Sequence, residues 1–207
     1  MKNNTITKVL SIVLALTAVF CMAVPSFAAD ITANGGNGTT PVNLSSTTDG
    51  TLGGDPAATA LSVTLPTAFP LAMGTDGTVT TADNCKIVNN SYGAVRVKSA
   101  TINGANGWSL TAFGDKAILA SAKVDSDMLG FELALNNGTA YKTDSSNETT
   151  QKFCSTATAD GKMSGVGDTA HNSIPVNYNA IVTPLSEAVT AKTVANVVFI
   201  VEWDTAA

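Results

Sequence analysis

The chain has 207 residues, of which 44% are hydrophobic and 13% are charged, and its formal net charge is −5. This length suits one domain with an additional segment. Nucleic acids and anionic lipid surfaces attract clusters of lysine and arginine, and this acidic chain has no such cluster. The composition therefore argues against both as partners.

The first residues have the three parts of a secretory signal peptide. Lys2 and Lys8 form a basic start, residues 9–24 are a continuous apolar run, and the small residues Ser26 and Ala28 precede the predicted cleavage site. The apolar run is short for a membrane span of about 20 residues. We therefore predict a signal peptide over residues 1–28, export from the cell, and no membrane contact after cleavage.

Two cysteines remain after this cleavage, Cys85 and Cys154. An even number of cysteines in an exported chain permits a disulfide, because the compartment is oxidising. Two free thiols are the alternative, and the sequence leaves both open.

Residues 29–57 are rich in glycine, threonine and asparagine, which predicts a flexible lead-in with one short strand around Val42 and Leu44. The pattern changes from residue 58 onward, so we predict a β-domain over 58–207. Its first strand alternates Leu61 and Val63 with polar neighbours. Asp76-Gly77 is then a hairpin signal.

The next predicted strand contains an irregularity. Val95 and Val97 lie on one face, but Ile102 is out of phase with them. A β-bulge near residues 99–101 would restore the inward position of Ile102.

The rest of the chain continues as strands separated by turns. Trp108 and Leu110 alternate with polar residues, and a strand around Phe131 ends in the turn signal of residues 136–138. Residues 139–170 are long and polar, which indicates a binding loop, a mobile excursion or a weak hairpin. A strand follows His171. Residues 186–191 could form a helical turn, and residues 194–203 are apolar on both faces, as in a central strand.

This series of short strands predicts an all-β fold, an antiparallel β-sandwich of jelly-roll or immunoglobulin-like type. Little in it predicts catalysis. His171 is the only histidine, there is no G-x-S-x-G motif, and the cysteines lack zinc-site spacing. We therefore expect a protein that is not an enzyme and that holds no metal or cofactor.

Two tyrosines lie in polar, turn-like contexts, Tyr92 in "NNSYGA" and Tyr141 in "GTAYKT". Exposed tyrosine rings can stack on sugar rings, which makes both candidates for glycan binding. The alternative is that each ring covers the edge of the core and only the hydroxyl meets water.

The segment "GWSLTAF" contains a W-x-L sequence, Trp108 to Leu110, and a strand with Trp203 lies near the end of the chain. This arrangement resembles the WxL surface domain of Gram-positive bacteria, although Thr205 stands where a second motif would have leucine. The resemblance implies an exported β-domain that binds peptidoglycan non-covalently, with Trp108, Leu110 and Trp203 as wall-binding candidates. The alternation itself favours a core position for Trp108 and Leu110.

The segment "KIVNNSYGAVRVKSATI", residues 86–102, is also similar to a strand-turn-strand unit of TasA and camelysin-type matrix proteins. That similarity implies an extracellular structural protein that can form fibres.

Three functions follow from the sequence. The first is a non-enzymatic surface protein that associates with the cell wall through its β-domain. The second is a self-assembling fibre or matrix subunit, in which the strand of the lead-in would add to a sheet edge of another copy. The third is a carbohydrate-binding module or adhesin. The corresponding partners are peptidoglycan or another surface glycan, and other copies of the chain.

Overall fold

The computed structural model describes residues 44–51, 54, 57–154 and 157–205. The chain divides into two compact units, residues 1–59 and residues 60–207. The predicted signal peptide and most of the predicted lead-in, including Val42, lie outside the described residues. Leu44 is described, and it is exposed and belongs to no strand.

The unit from residue 60 is an all-β domain of antiparallel sheets packed together, so the predicted fold class is confirmed. Its strands are β1 Val63–Thr64, β2 Leu71–Met73, β3 Val79–Thr81, β4 Lys86–Asn89, β5 Val95–Gly104, β6 Ser109–Thr111, β7 Met128–Leu135, β8 Ala140–Lys142, β9 Thr150–Cys154, β10 Lys162–Met163, β11 Ser173–Val182 and β12 Ala195–Trp203. A short α-helix, α1, spans Ala117–Ala120, and a single turn of 3-10 helix spans Ala159–Gly161.

Two sheets and a hairpin make up the domain. The larger sheet has the order β1-β4-β11-β7-β6, with β8 beside β7. The smaller sheet has the order β10-β5-β12, with β9 also beside β5. Strands β2 and β3 form the hairpin predicted at Asp76-Gly77, where Gly77 has a φ of 75° that favours glycine. The β6–β7 pair is parallel.

The inward faces of both sheets share one apolar core. Phe131 of β7 stacks on Phe153 of β9 with ring centroids 6.1 Å apart, which joins the larger sheet to the smaller one. Phe69 contacts both Tyr178 of β11 and Phe199 of β12. Because aromatic rings bury large apolar areas, this cluster contributes much of the stability of the domain.

The bulge predicted in β5 is confirmed. The pairing of β5 with β9 also shifts register, between Ala100 and Thr101, but there the extra residue is Phe153 of β9. Against β12, Ser99 lies opposite Ile200 but Val97 lies opposite Val201, so that Lys98 is the extra residue. The shift lets Val97 and Ile102 both point into the core despite their odd spacing.

The predicted helical turn at residues 186–191 is wrong, because that segment has no helix and all its residues are exposed. The polar stretch 139–170 contains three short strands, β8, β9 and β10. The prediction that residues 194–203 form a central strand is also wrong. Among the described strands, β12 pairs with β5 alone, and Val198 and Ile200 are exposed. An apolar run indicates strand propensity, but it does not report how many neighbours the strand has.

Both described cysteines are free thiols, so the disulfide that the sequence permits between Cys85 and Cys154 does not form in this structure. Cys85 immediately precedes β4 of the larger sheet, whereas Cys154 ends β9 of the smaller sheet. Burial raises the pKa of the Cys154 thiol, because desolvation disfavours the thiolate.

Candidate functional site

The residues of the W-x-L sequence lie in the core. Trp108 is 4% exposed and Leu110 is 1% exposed. The Lys192 Nζ lies 5.5 Å from the centroid of the Trp108 ring. The wall contact implied for Trp108 and Leu110 does not fit this burial, and the core alternative does. Alternation along the strand explains the difference, because both side chains point to the apolar side of the sheet.

The two glycan-stacking candidates differ in exposure. Tyr141 of β8 is half-buried and packs against the core, and this burial raises the pKa of its phenol. Tyr141 therefore matches the core-covering alternative. Tyr92 is 84% exposed and is by far the more accessible of the two rings. It lies in the loop between β4 and β5, residues 90–94.

The topology brings a second loop to the position of Tyr92. The 90–94 loop crosses from β4 of the larger sheet to β5 of the smaller sheet, and residues 164–172 cross back from β10 to β11. Val88 lies opposite Ser173, and Val95 lies opposite Met163, so both crossings are at the same end of the domain. We call these two loops the Tyr92 platform.

A buried asparagine connects the two loops of the platform. The Asn89 Nδ2 donates to the carbonyl oxygens of Gly93, at 2.9 Å, and Ser164, at 2.7 Å. Its Oδ1 accepts a hydrogen bond from the Ser91 N–H at 2.8 Å. Asn89 is fully buried, so these bonds are shielded from competing water. They fix the backbone on both sides of Tyr92.

Ser91 adds a second set of connections. Its Oγ accepts from the Ser62 N–H at 2.7 Å and donates to the Ser62 carbonyl at 3.1 Å. Its carbonyl accepts from the Val166 N–H at 2.8 Å. Ser91 is buried while the next residue, Tyr92, is exposed. The ring of Tyr92 therefore projects from a backbone that is held from three directions.

Gly165 and Gly93 allow close contacts of the two platform loops with each other and with Trp203. A Cβ at Gly165 would collide with the carbonyl group of Tyr92, so only glycine allows this approach of the two loops. A Cβ at Gly93 would lie 3.1 Å from the Cζ3 of Trp203. Trp203 is half-buried behind the 90–94 loop. Of the three wall-binding candidates, only Trp203 lies next to this surface.

The 164–172 loop, whose backbone contacts the 90–94 loop, also carries polar side chains. The Ser164 N–H donates to the His171 carbonyl at 3.0 Å and closes the loop. The His171 Nδ1 lies 2.9 Å from the Asp168 Oδ2. This contact lowers the pKa of Asp168, because the hydrogen bond stabilises the carboxylate. Val166 in the same loop is partly exposed.

The two loops of the platform carry side chains that can bind a ligand. The Tyr92 ring offers a flat apolar face and a hydroxyl, the Asp168 carboxylate offers acceptors, and the imidazole of His171 offers a second nitrogen. A sugar presents C–H groups on its ring face and hydroxyls at its rim, which these groups can match. None of these groups forms a nucleophile–base pair.

Three other features bear on function: metal-binding clusters, pockets and membrane-spanning helices. Among the described residues, no three His, Cys, Asp or Glu side chains lie together in a way that could hold a metal ion. A pocket of about 330 Å³ lies between Pro66–Pro70 and Asn84–Lys86, with Cys85 in its wall. In the part of the chain that the structure describes, no helix has the length and apolar character to cross a membrane.

Asn89, Ser91 and Gly165 were not predicted from the sequence as functional residues. Part of the signal was present, because an asparagine that accepts from the N–H two residues later forms an Asx turn, and "NNSYG" has the composition of one. The bond from Asn89 to Ser164 joins residues 75 positions apart, and no local pattern predicts it.

No protein-family model, no curated protein and no solved structure matches this chain.

Proposed function

We propose that this chain is an exported, non-enzymatic surface protein that associates non-covalently with a glycan of the cell wall, and that the Tyr92 platform makes the contact. The observation that carries the proposal is the exposure of the Tyr92 ring, 84%, on a backbone anchored by Asn89 and Ser91. A loop whose backbone is already fixed loses little conformational freedom when it binds, which favours affinity.

The rest of the platform supports the same proposal. Asp168 and His171 supply hydrogen-bonding groups in the adjacent loop, and Val166 adds an exposed apolar side chain to the same loop. The acidic net charge fits an uncharged sugar surface better than a polyanion. The W-x-L residues Trp108 and Leu110 then serve the fold and not the contact.

Co-sedimentation of the purified protein with peptidoglycan sacculi tests the proposal. We expect the protein to pellet with sacculi and to stay in solution without them. Tyr92→Ala should lose most of this binding, whereas Tyr92→Phe should keep most of it because the ring remains. Val189→Ala, at another exposed site, is the matched control. Unchanged pelleting of Tyr92→Ala would show that the platform is not the contact.

A further inference from the structure

The edge of β12 differs from the other edges of the domain. Natural sheets protect their edges with short strands, lysines, prolines or bulges, because an open edge pairs with other chains. Strands β1 and β10 have two residues each, and β8, β9 and β10 each contain a lysine. By contrast, β12 has nine residues, and Ala195–Val201 contains neither a charge nor a proline. The bulge between β5 and β12 places the extra residue on β5, so the backbone of β12 continues without a bulge.

The hydrogen-bond pattern shows which backbone groups of β12 lie on the open edge. The Ala105 N–H donates to the Val194 carbonyl at one end of the β5–β12 ladder, and the Asp204 N–H donates to the Ala94 carbonyl at the other. Antiparallel ladders alternate between hydrogen-bonded and non-hydrogen-bonded pairs. The N–H and C=O groups of Val197, Phe199 and Val201 therefore point away from β5, and no described residue pairs with them.

The solvent face of the same strand is apolar at its centre. Val198 is 48% exposed and Ile200 is 53% exposed. Their partners on β5, Thr101 and Ser99, are polar. The exposed apolar side chains thus lie on the edge strand, where each has neighbouring side chains of the same face on one flank only. This placement favours a partner that extends the sheet.

We infer that β12 pairs with β12 of a second copy of this chain, in an antiparallel, two-fold dimer that joins the two smaller sheets. A two-fold axis at Phe199 puts Val198 of each copy opposite Ile200 of the other. It also puts Glu202 opposite the uncharged Asn196. Registers centred on the neighbouring residues would instead place Ile200 against Asn196, or Val198 against Glu202. The strand is therefore self-complementary in one register.

Charge does not oppose this pairing. Glu202 is the only charged residue of β12, and its carboxylate already contacts Arg96, at 2.9 Å, and Lys98, at 2.8 Å, in its own chain. The pairing closes on itself because both copies use the same edge, so the expected product is a dimer and not a fibre. The inference is independent of glycan binding and of the N-terminal lead-in.

Analytical ultracentrifugation of the purified protein over a concentration series tests the inference. We expect a monomer–dimer equilibrium with no larger species. Val198→Lys and Ile200→Lys should shift the equilibrium to monomer, because a lysine on an edge disfavours strand pairing. Val124→Lys, at a loop position as exposed as Ile200, should leave the dimer unchanged. A monomer at every concentration, a dimer that survives both edge substitutions, or open-ended assembly would overturn the inference.

Hydrogen exchange of the unmodified protein gives a second test that requires no variant. The amides of Val197, Phe199 and Val201 should exchange more slowly at high than at low protein concentration. The amides of Val198 and Ile200 face β5 and should show no such dependence. Equal exchange of Val197, Phe199 and Val201 at both concentrations would contradict pairing through this edge.

Discussion

The side-chain amide of Asn89 donates a hydrogen bond of 2.7 Å to the backbone carbonyl of Ser164. Asn89 ends β4 of the larger sheet, and Ser164 begins the loop that follows β10 of the smaller sheet. Both crossings between the sheets at this end of the domain are held by this one buried side chain. The position of Tyr92 depends on it, because Asn89 also bonds the residues on either side of the tyrosine.

Asn89→Ala should destabilise the domain and loosen the platform. The substitution leaves the carbonyls of Gly93 and Ser164 and the N–H of Ser91 without partners, and buried unpaired groups are costly. We expect a loss of about 2–4 kcal/mol in the free energy of unfolding, measured by urea titration. Asn90→Ala removes one exposed bond to Thr64 and should lose less than about 1 kcal/mol. Equal losses in the two variants would contradict the anchoring role of Asn89.

Two glycines of the 164–172 loop should respond differently to alanine. A Cβ at Gly165 collides with the carbonyl of Tyr92, whereas a Cβ at Gly167 meets nothing within 4 Å. Gly165→Ala should destabilise the domain by about 1–3 kcal/mol, as overpacking does, and weaken sacculus binding. Gly167→Ala should change the stability by less than about 0.5 kcal/mol. If Gly165→Ala keeps both properties, the close contact of the two loops is not needed.

Substitution of Trp108 should affect folding and not glycan contact. Trp108→Ala removes a buried ring and should lower the free energy of unfolding by about 3–5 kcal/mol. Trp108→Phe keeps most of the volume, so its folded molecules should pellet with sacculi like the unmodified protein. Circular dichroism and co-sedimentation of the same samples separate the two effects. A folded Trp108→Phe variant without sacculus binding would instead favour the direct contact that the W-x-L resemblance implies.

The two free thiols should differ in reactivity. Cys85 lines a pocket, whereas Cys154 is buried and its pKa is raised by that burial. Because the thiolate is the reactive form, maleimide should label Cys85 of the native protein and leave Cys154 unlabelled until denaturation. Peptide mapping by mass spectrometry identifies the labelled residue. If neither cysteine reacts in denaturant until a reductant is added, the two form a disulfide after all.

Acid should weaken the ion cluster at the end of β12. Hydrogen bonds from Lys98 and Arg96 lower the pKa of Glu202 below its ordinary value of 4.5. A lowered pKa in the folded state means that the contribution of Glu202 is present above pH 4.5 and is lost as the pH falls below that value. The urea midpoint should therefore fall with acidification, and Glu202→Gln should reduce the slope. Lys98→Met should make the loss smaller, because the pKa of Glu202 in the folded state then lies closer to 4.5. Identical profiles for all three proteins would rule out this contribution.

The sequence predicted those features of the fold that local periodicity determines. The alternation of Trp108 and Leu110 predicted an inward face, and the phase shift between Val97 and Ile102 predicted the bulge. Both predictions depend only on the two-residue period of a strand. The edge position of β12 could not be predicted in this way, because the number of neighbouring strands depends on the topology and not on the residues of the strand itself.

The residues of the Tyr92 platform also include one that the sequence predicted and several that depend on contacts between distant segments. Tyr92 was identified from its polar, turn-like context, but Tyr141 has a similar context and is half-buried. The difference arises from packing between distant segments, since Tyr141 lies on β8 against the core whereas Tyr92 lies on a crossing loop. The support from Asn89, Ser91 and Gly165 depends on a second loop some 75 residues away along the chain.

A nuclear magnetic resonance titration of the protein with soluble peptidoglycan fragments tests directly whether the Tyr92 platform binds a glycan. We expect the amide signals of residues 91–93 and 165–168 to shift in a saturable manner, and the indole N–H signal of the buried Trp108 to stay in place. Saturable shifts centred on another surface, or no shifts at fragment concentrations that compete with sacculus binding, would contradict glycan binding by the platform.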